Sequence, residues 1–353
     1  MEDPRPNPRE TILEAGAHAD EVRLRFSDLA TEWAAVRRRC GMFDARCRGL
    51  LRVQGEDRRT FLQGMLTNDL ARLQAGQGTY AALLTIQGKL VSDLRVYVLD
   101  EEIWLDLPVG RAAVVREMLD RYIIADDVVF VDAPGAWEPL VALEGPHAAR
   151  VVLGVVGEAM ENLAPFAHRP GVFDGVPIRL AVASHAGEPG YLLFGPAAVA
   201  PALWAHCQSA GAEPVGMEAL DLLRLEAGIP WYGRDVDDAI LIAEAGLESA
   251  ISFQKGCYLG QEVVERVAAR GQVQRKLVGL TGDGPSVPAP HAPLRHGGTE
   301  VGYVTSAAWS FALKAVVALG YVRRDAWEPG TTLEVDSNGG ASLTVVRTPF
   351  YAK

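Results

Sequence analysis

The sequence predicts an α+β protein, with two related α+β units followed by a small β-barrel. Three observations carry this. Apolar runs and breaks between Leu50 and Val131 alternate as β-α-β-β-β-α-β. The same grammar recurs between Leu140 and Cys207. From Gln274 onward, Gly, Pro and Thr punctuate short apolar runs at turn-like intervals. A chain of 353 residues, 49% hydrophobic and 22% charged, has room for two or three domains, each with its own core.

Residues 1–10 mix Pro with both charge signs and read as a frayed arm. Residues 12–42 form a helical or irregular lead-in that ends at Gly41. Leu50 to Val53 is a short strand. Gly55 breaks it, and a helix runs from Asp57, its expected N-cap, to Leu66. Tyr80 to Ile86 and Leu90 to Leu99 are strands hinged by Gln87-Gly88-Lys89. Ile103 to Leu107 is a strand, Arg111 to Tyr122 a helix, and Val128 to Val131 closes the unit. In the second unit Leu140 to Leu143 is a strand and Gly145-Pro146 opens a helix through Leu153. Pro177 to Ala183 and Gly190 to Phe194 are strands, and Pro196 opens a helix through Cys207. Val53-Gln54-Gly55 parallels Leu143-Glu144-Gly145, as a duplication would. The barrel strands are Leu277 to Leu280, Glu300 to Thr305, Ala315 to Val322, Thr332 to Val335 and Ser342 to Val346, with Gly282 to Pro293 as a long loop.

Charge and composition narrow the function. A net charge of −11 argues against a broad basic face for nucleic acid, so no direct nucleic-acid contact is expected. Cys40, Cys47, Cys207 and Cys257 form no CxxC pair and read as reduced thiols of a cytoplasmic protein. No apolar stretch approaches a membrane span, and no spacing predicts a metal site.

The segment richest in chemistry is Lys255-Gly256-Cys257-Tyr258-Leu259-Gly260-Gln261-Glu262. A thiol near a lysine and a helix start has its thiolate favoured. Gly256 and Gly260 would let backbone approach a ligand. The competing reading is a buried thiol acting as a small hydrophobe. Carboxylates are a second resource. Glu226, in Arg224-Leu225-Glu226-Ala227-Gly228, suits the amidine-like edge of a planar ligand, or pairs with an arginine as scaffolding. Asp93, just past the Gly88 hairpin, is the other candidate, set against a solvated turn residue.

The octapeptide resembles the K-G-C-Y-x-G-Q-E signature of the YgfZ family, within the glycine-cleavage T-protein (aminomethyltransferase) superfamily. Phe61-Leu62-Gln63-Gly64 with Thr67-Asn68-Asp69, Arg224 to Gly228 with Tyr232-Gly233, Gly302 to Ser306 and Ala318 to Val322 resemble further superfamily segments in the right order. The resemblance implies a three-domain ring around a folate site. Its α+β domains would interleave as 1–48 with 136–245 and 49–135 with 246–273, and the barrel would occupy 274–353. It implies tetrahydrofolate as ligand, with Asn68, Glu226, Arg266 and Gln261 binding it and Cys257, Lys255 and Asp93 as catalytic groups. T-proteins carry paired aspartates where this chain reads Ser92-Asp93, and they lack the octapeptide. Both differences favour the YgfZ branch, and with it an accessory protein for iron–sulfur cluster assembly or repair. Its clients would be iron–sulfur proteins, including enzymes of tRNA modification. The alternatives are a tetrahydrofolate-dependent aminomethyltransferase or demethylase, and a scaffold that binds clients without folate.

Overall fold

A computed structural model of the chain describes residues 23–131, 135–157, 160, 162–270, 273–335 and 342–351. The expected arm at residues 1–10 and the start of the lead-in lie outside the described residues. The α+β fold with its closing barrel is present.

The first sheet has six strands in the order Glu213–Pro214, Gly41–Asp44, Glu138–Glu144, Gly190–Gly195, Val176–Val182, His168–Phe173. The second has five, in the order Gln77–Leu84, Leu90–Val98, Ile103–Pro108, Arg48–Gln54, Val129–Val131. In the chain, the second sheet is thus inserted between strands Gly41–Asp44 and Glu138–Glu144 of the first. Six further strands, Arg275–Gly282 to Ser342–Val346, close into the barrel.

Side-chain alternation explains the layering. In the second sheet Leu94, Val96, Val98, Ile103, Leu105 and Leu107 face helices Arg58–Met65 and Arg111–Asp120. Their strand neighbours Tyr97 and Trp104 face the other way and pack on Phe194 of the first sheet, with ring centroids 5.7 and 5.4 Å apart. Helices Ala148–Val156 and Ala200–Ser209 cover the outer face of the first sheet. The α+β body is therefore helix, sheet, sheet, helix, with one shared layer between the sheets.

The two expected strand–Gly–helix turns match in detail. Gly55 and Gly145 have φ of +103° and +126°. A Cβ on Gly55 would lie 2.0 Å from the Asp127 carbonyl oxygen, and one on Gly145 2.5 Å from that of Val36. Each unit uses glycine to press a strand-to-helix turn against another segment's backbone. Asp57, however, makes no side-chain cap. Its carboxylate accepts from the Asp127 N–H at 2.8 Å, so it holds the neighbouring loop instead.

Two buried polar hubs fasten the barrel. The Glu226 carboxylate, fully buried, accepts from Trp33 Nε1 (2.8 Å), Arg37 Nη2 (2.7 Å) and Ser310 Oγ (2.6 Å). Arg224 and Asp235, also buried, join helix Met217–Glu226 to Thr305 and Ser306 of the barrel. Among the described residues, no helix is long and apolar enough to cross a membrane.

His168 lies at the sheet–sheet contact, edge-on to Tyr97 at 5.4 Å, and its Nδ1 meets Arg179 Nη1 at 2.8 Å. Burial, with Arg179 adding to it, lowers its pKa to about 4 from the ordinary 6.5. A depressed histidine binds fewer protons folded than unfolded, so its stabilisation is complete above about 6.5 and is lost as pH falls toward about 4. Urea unfolding across that window should show wild type losing up to about 3 kcal/mol relative to His168→Gln. Parallel pH profiles for the two proteins would refute this role.

Candidate active site

The shared layer changes character toward one end of the sheets. There it opens into a cavity of about 580 Å³, lined by Arg48, Tyr80, Asp93 and Arg95 of the second sheet and by residues of the segment 182–190 of the first. The same alternation that buries Tyr97 and Trp104 delivers Asp93, Arg95 and Asp106 to this face. Phe166, Ile229, Trp231 and Leu247 supply apolar wall. The Phe166 ring stacks with Tyr80 at 6.4 Å and 17°.

On the floor, the Tyr80 hydroxyl donates to Asp93 Oδ2 at 2.8 Å. Burial, reinforced by the Asp93 charge, holds the Tyr80 phenol well above its ordinary pKa, so it remains a donor. Asp93 Oδ1 is buried with no hydrogen-bond partner. A buried carboxylate oxygen left unsatisfied is costly, and a ligand N–H is the natural remedy.

Behind Asp93 runs a continuous charged network. Asp106 takes Arg48 Nε on Oδ1 at 2.5 Å and Arg95 Nη1 on Oδ2 at 3.2 Å. Arg95 also meets His185 Nε2 at 2.9 Å and donates to the Ser184 carbonyl at 2.8 Å. Burial, then Arg95 and Arg48, hold His185 well below its ordinary pKa and therefore neutral. Nε2 accordingly accepts from Arg95, and Nδ1–H donates to Glu144 Oε1 at 2.9 Å. Glu144 also accepts from Ala186 N–H (2.8 Å) and Ser184 Oγ (3.1 Å), and burial pushes it up to about 7. At the rim Glu188 pairs with Arg37, which also holds Glu226 and Tyr351.

Of the residues singled out in sequence, the cavity takes in Asp93 alone. Glu226 is corrected from ligand to scaffold, since both its oxygens are engaged at the barrel interface. Asn68 donates to the Tyr80 and Ser249 carbonyls and accepts from Asp69 N–H, so it braces loops rather than a pterin. Gln261 and Arg266 lie on helix Gln261–Arg270, where they pair with Glu265 and Glu262 of that helix. Lys255 does not serve the thiol. Its ammonium donates to the carbonyls of Gln63, Leu66 and Asn68 at 2.6, 2.6 and 2.9 Å, closing the end of helix Arg58–Met65. Cys257 is exposed, against the buried-thiol reading, and is not among the cavity-lining residues. Gly260, at φ +82°, lies against the Thr85 carbonyl of the hairpin, and beyond its chain neighbours no atom lies within 4 Å of a Cβ on Gly256.

Ser92 changes meaning as well. Its side chain has the parity of Leu94 and Val96, and it is fully buried away from the cavity. The carboxylate this chain lacks there would have pointed opposite to Asp93. Tyr80, Arg48, Arg95, His185 and Glu188 were missed in sequence. Polar residues at inward positions of apolar strands were the available signal for Arg48 and Arg95.

Residues 13–255 match the GCVT N-terminal domain model, and 275–352 match the glycine cleavage T-protein C-terminal barrel domain. The chain belongs to this family. A Synechococcus protein named aminomethyltransferase is 34% identical over 94% of this chain and 93% of its own length. One from Streptomyces avermitilis, likewise named, is 32% identical over 94% and 92%. The crystal structure of glycine cleavage system aminomethyltransferase T from Bartonella henselae shares the fold. Its TM-score is 0.84 at 24% identity, covering 95% of this chain and 96% of that one. These relatives overturn the expected role in iron–sulfur cluster assembly and tRNA modification.

Lys255→Met removes three charge-assisted contacts and should cost about 2 kcal/mol or more in urea unfolding, with faster hydrogen exchange at residues 252–258. An unchanged midpoint would show those carbonyls to be satisfied without the ammonium.

Proposed function

We propose that this protein is a tetrahydrofolate-dependent one-carbon transferase of the aminomethyltransferase kind, acting on an aminomethyl or N-methyl donor. The observation that carries the reading is Asp93, whose Oδ1 has no partner in a cavity walled by Phe166 and Trp231. The relatives named aminomethyltransferase support it. A volume of about 580 Å³ suits a planar bicyclic ligand, and flat aromatic walls fit its faces. Phe166, Trp231 and Glu188 would hold such a ligand. Tetrahydrofolate, when bound, supplies the nitrogen that accepts the one-carbon unit.

The chain's own residues have definable tasks. The Asp93 carboxylate holds a cationic amine and stabilises positive charge as it develops. Tyr80 fixes the Oδ2 edge, which keeps the carboxylate from turning. The apolar wall excludes water from the reacting nitrogen. The octapeptide Lys255 to Glu262 marks a YgfZ-like branch of the family, and in this reading it braces helix Arg58–Met65 and the Gly88 hairpin. A cytoplasmic location fits four free thiols.

The test is anaerobic calorimetric titration with tetrahydrofolate, together with turnover of glycine-cleavage intermediates and methylated amines. Asp93→Asn keeps the side-chain shape, so it should still bind tetrahydrofolate while losing about 100-fold or more in kcat. No binding by wild type, or full activity in the variant, would remove the reading.

A further inference from the structure

Arg48 stands at the same end of the second sheet as Asp93. It pairs with Pro108, two residues beyond Asp106, while Asp93 lies two residues beyond Arg95, the partner of Asp106. One strand separates them, a backbone distance of about 10 Å that a small ligand can bridge between two side chains. The Arg48 guanidinium is fixed in place by Asp106, with Nε on the carboxylate at 2.5 Å and Nη2 on the backbone carbonyl at 3.1 Å. Its Nη1 has no partner among the described residues, and the side chain keeps 13% of its surface where it lines the cavity.

The charge balance around Arg48 depends on Asp93. Burial works against the Arg48 charge, but Asp106 and then Asp93 outweigh it. Asp106 already serves two arginines. An amine cation placed on Asp93 therefore withdraws part of Arg48's counter-charge and sets two cations near each other in a poorly solvated site. A carboxylate on the same ligand, received by Nη1, restores the balance with a charge-assisted hydrogen bond.

We propose that Arg48 is a specificity-determining group that selects amines bearing a carboxylate close to the nitrogen, the class of N-alkylated α-amino acids, over amines without one. This deepens the one-carbon-transfer reading and rests on it for calling the ligand a substrate. The selectivity itself requires no folate.

The test is calorimetric titration of the full chain, without folate, by N,N-dimethylglycine and by N,N-dimethylethanolamine. Wild type should prefer N,N-dimethylglycine by about tenfold or more, and Arg48→Gln should bind the two alike. Arg48→Lys keeps a cation for Asp106 and replaces the glutamine variant if that one does not fold; its preference should also fall, because a point charge held on Asp106 presents no second donor. Equal affinity in wild type, no binding of either compound, or a preference that survives in the variants overturns the proposal. Carboxylate-selective binding without folate-dependent turnover of any amine would overturn the reaction and uphold Arg48. Turnover without selectivity would do the reverse.

Discussion

Asp106 holds two arginines at once in a layer that excludes water, and the working end of the molecule is arranged around that fact. Burying one carboxylate against two guanidiniums is tolerable only if the remaining charges and donors are matched. Arg95 is matched through neutral His185, Glu144 and the Ser184 carbonyl, which ties the second sheet to the loop of the first. Arg48 is matched through the Asp106 backbone and the field of Asp93. The network thereby sets the spacing of the sheets where the ring-packed layer stops and the cavity begins. Rings fill space on one side, and ion pairs hold it open on the other.

The barrel is attached by similar logic. Glu226 and Asp235 are buried carboxylates with several donors each, contributed by both the α+β body and the barrel. Such groups favour one relative placement, because a shifted barrel would leave buried charge unpaired. Arg37 extends this to the cavity, since one guanidinium meets Glu226, Glu188 at the rim and Tyr351 near the end of the described chain.

Much of the fold was legible in the sequence. The hairpin at Gly88, the paired Gly55 and Gly145 turns and the barrel strands all follow from local periodicity and glycine placement, which act within a few residues. Strands Gly41–Asp44, His168–Phe173 and Pro293–His296 were not read, because their partners are distant or their composition is turn-like. The site was less legible. Asp93 was found from its place after the Gly88 hairpin and from the family pattern, whereas Asn68 and Glu226 were assigned to a ligand and Lys255 to the thiol's chemistry although tertiary structure gives each of them protein partners. A motif shows that a residue matters without separating contact with a ligand from bracing of a loop. Arg48, Arg95 and His185 became visible only once strand parity and sheet pairing placed them on one face.

The interleaved topology also has a consequence for how the chain is made. The second sheet is built from one continuous stretch, Arg48 to Val131, and can pair as soon as that stretch is synthesised. Strand Gly41–Asp44 precedes it, yet both its neighbours, Glu138–Glu144 and Glu213–Pro214, come much later. During synthesis this apolar strand therefore waits without partners while a whole sheet forms behind it. The nascent chain has to keep Met42 and Phe43 from pairing elsewhere until its own sheet arrives.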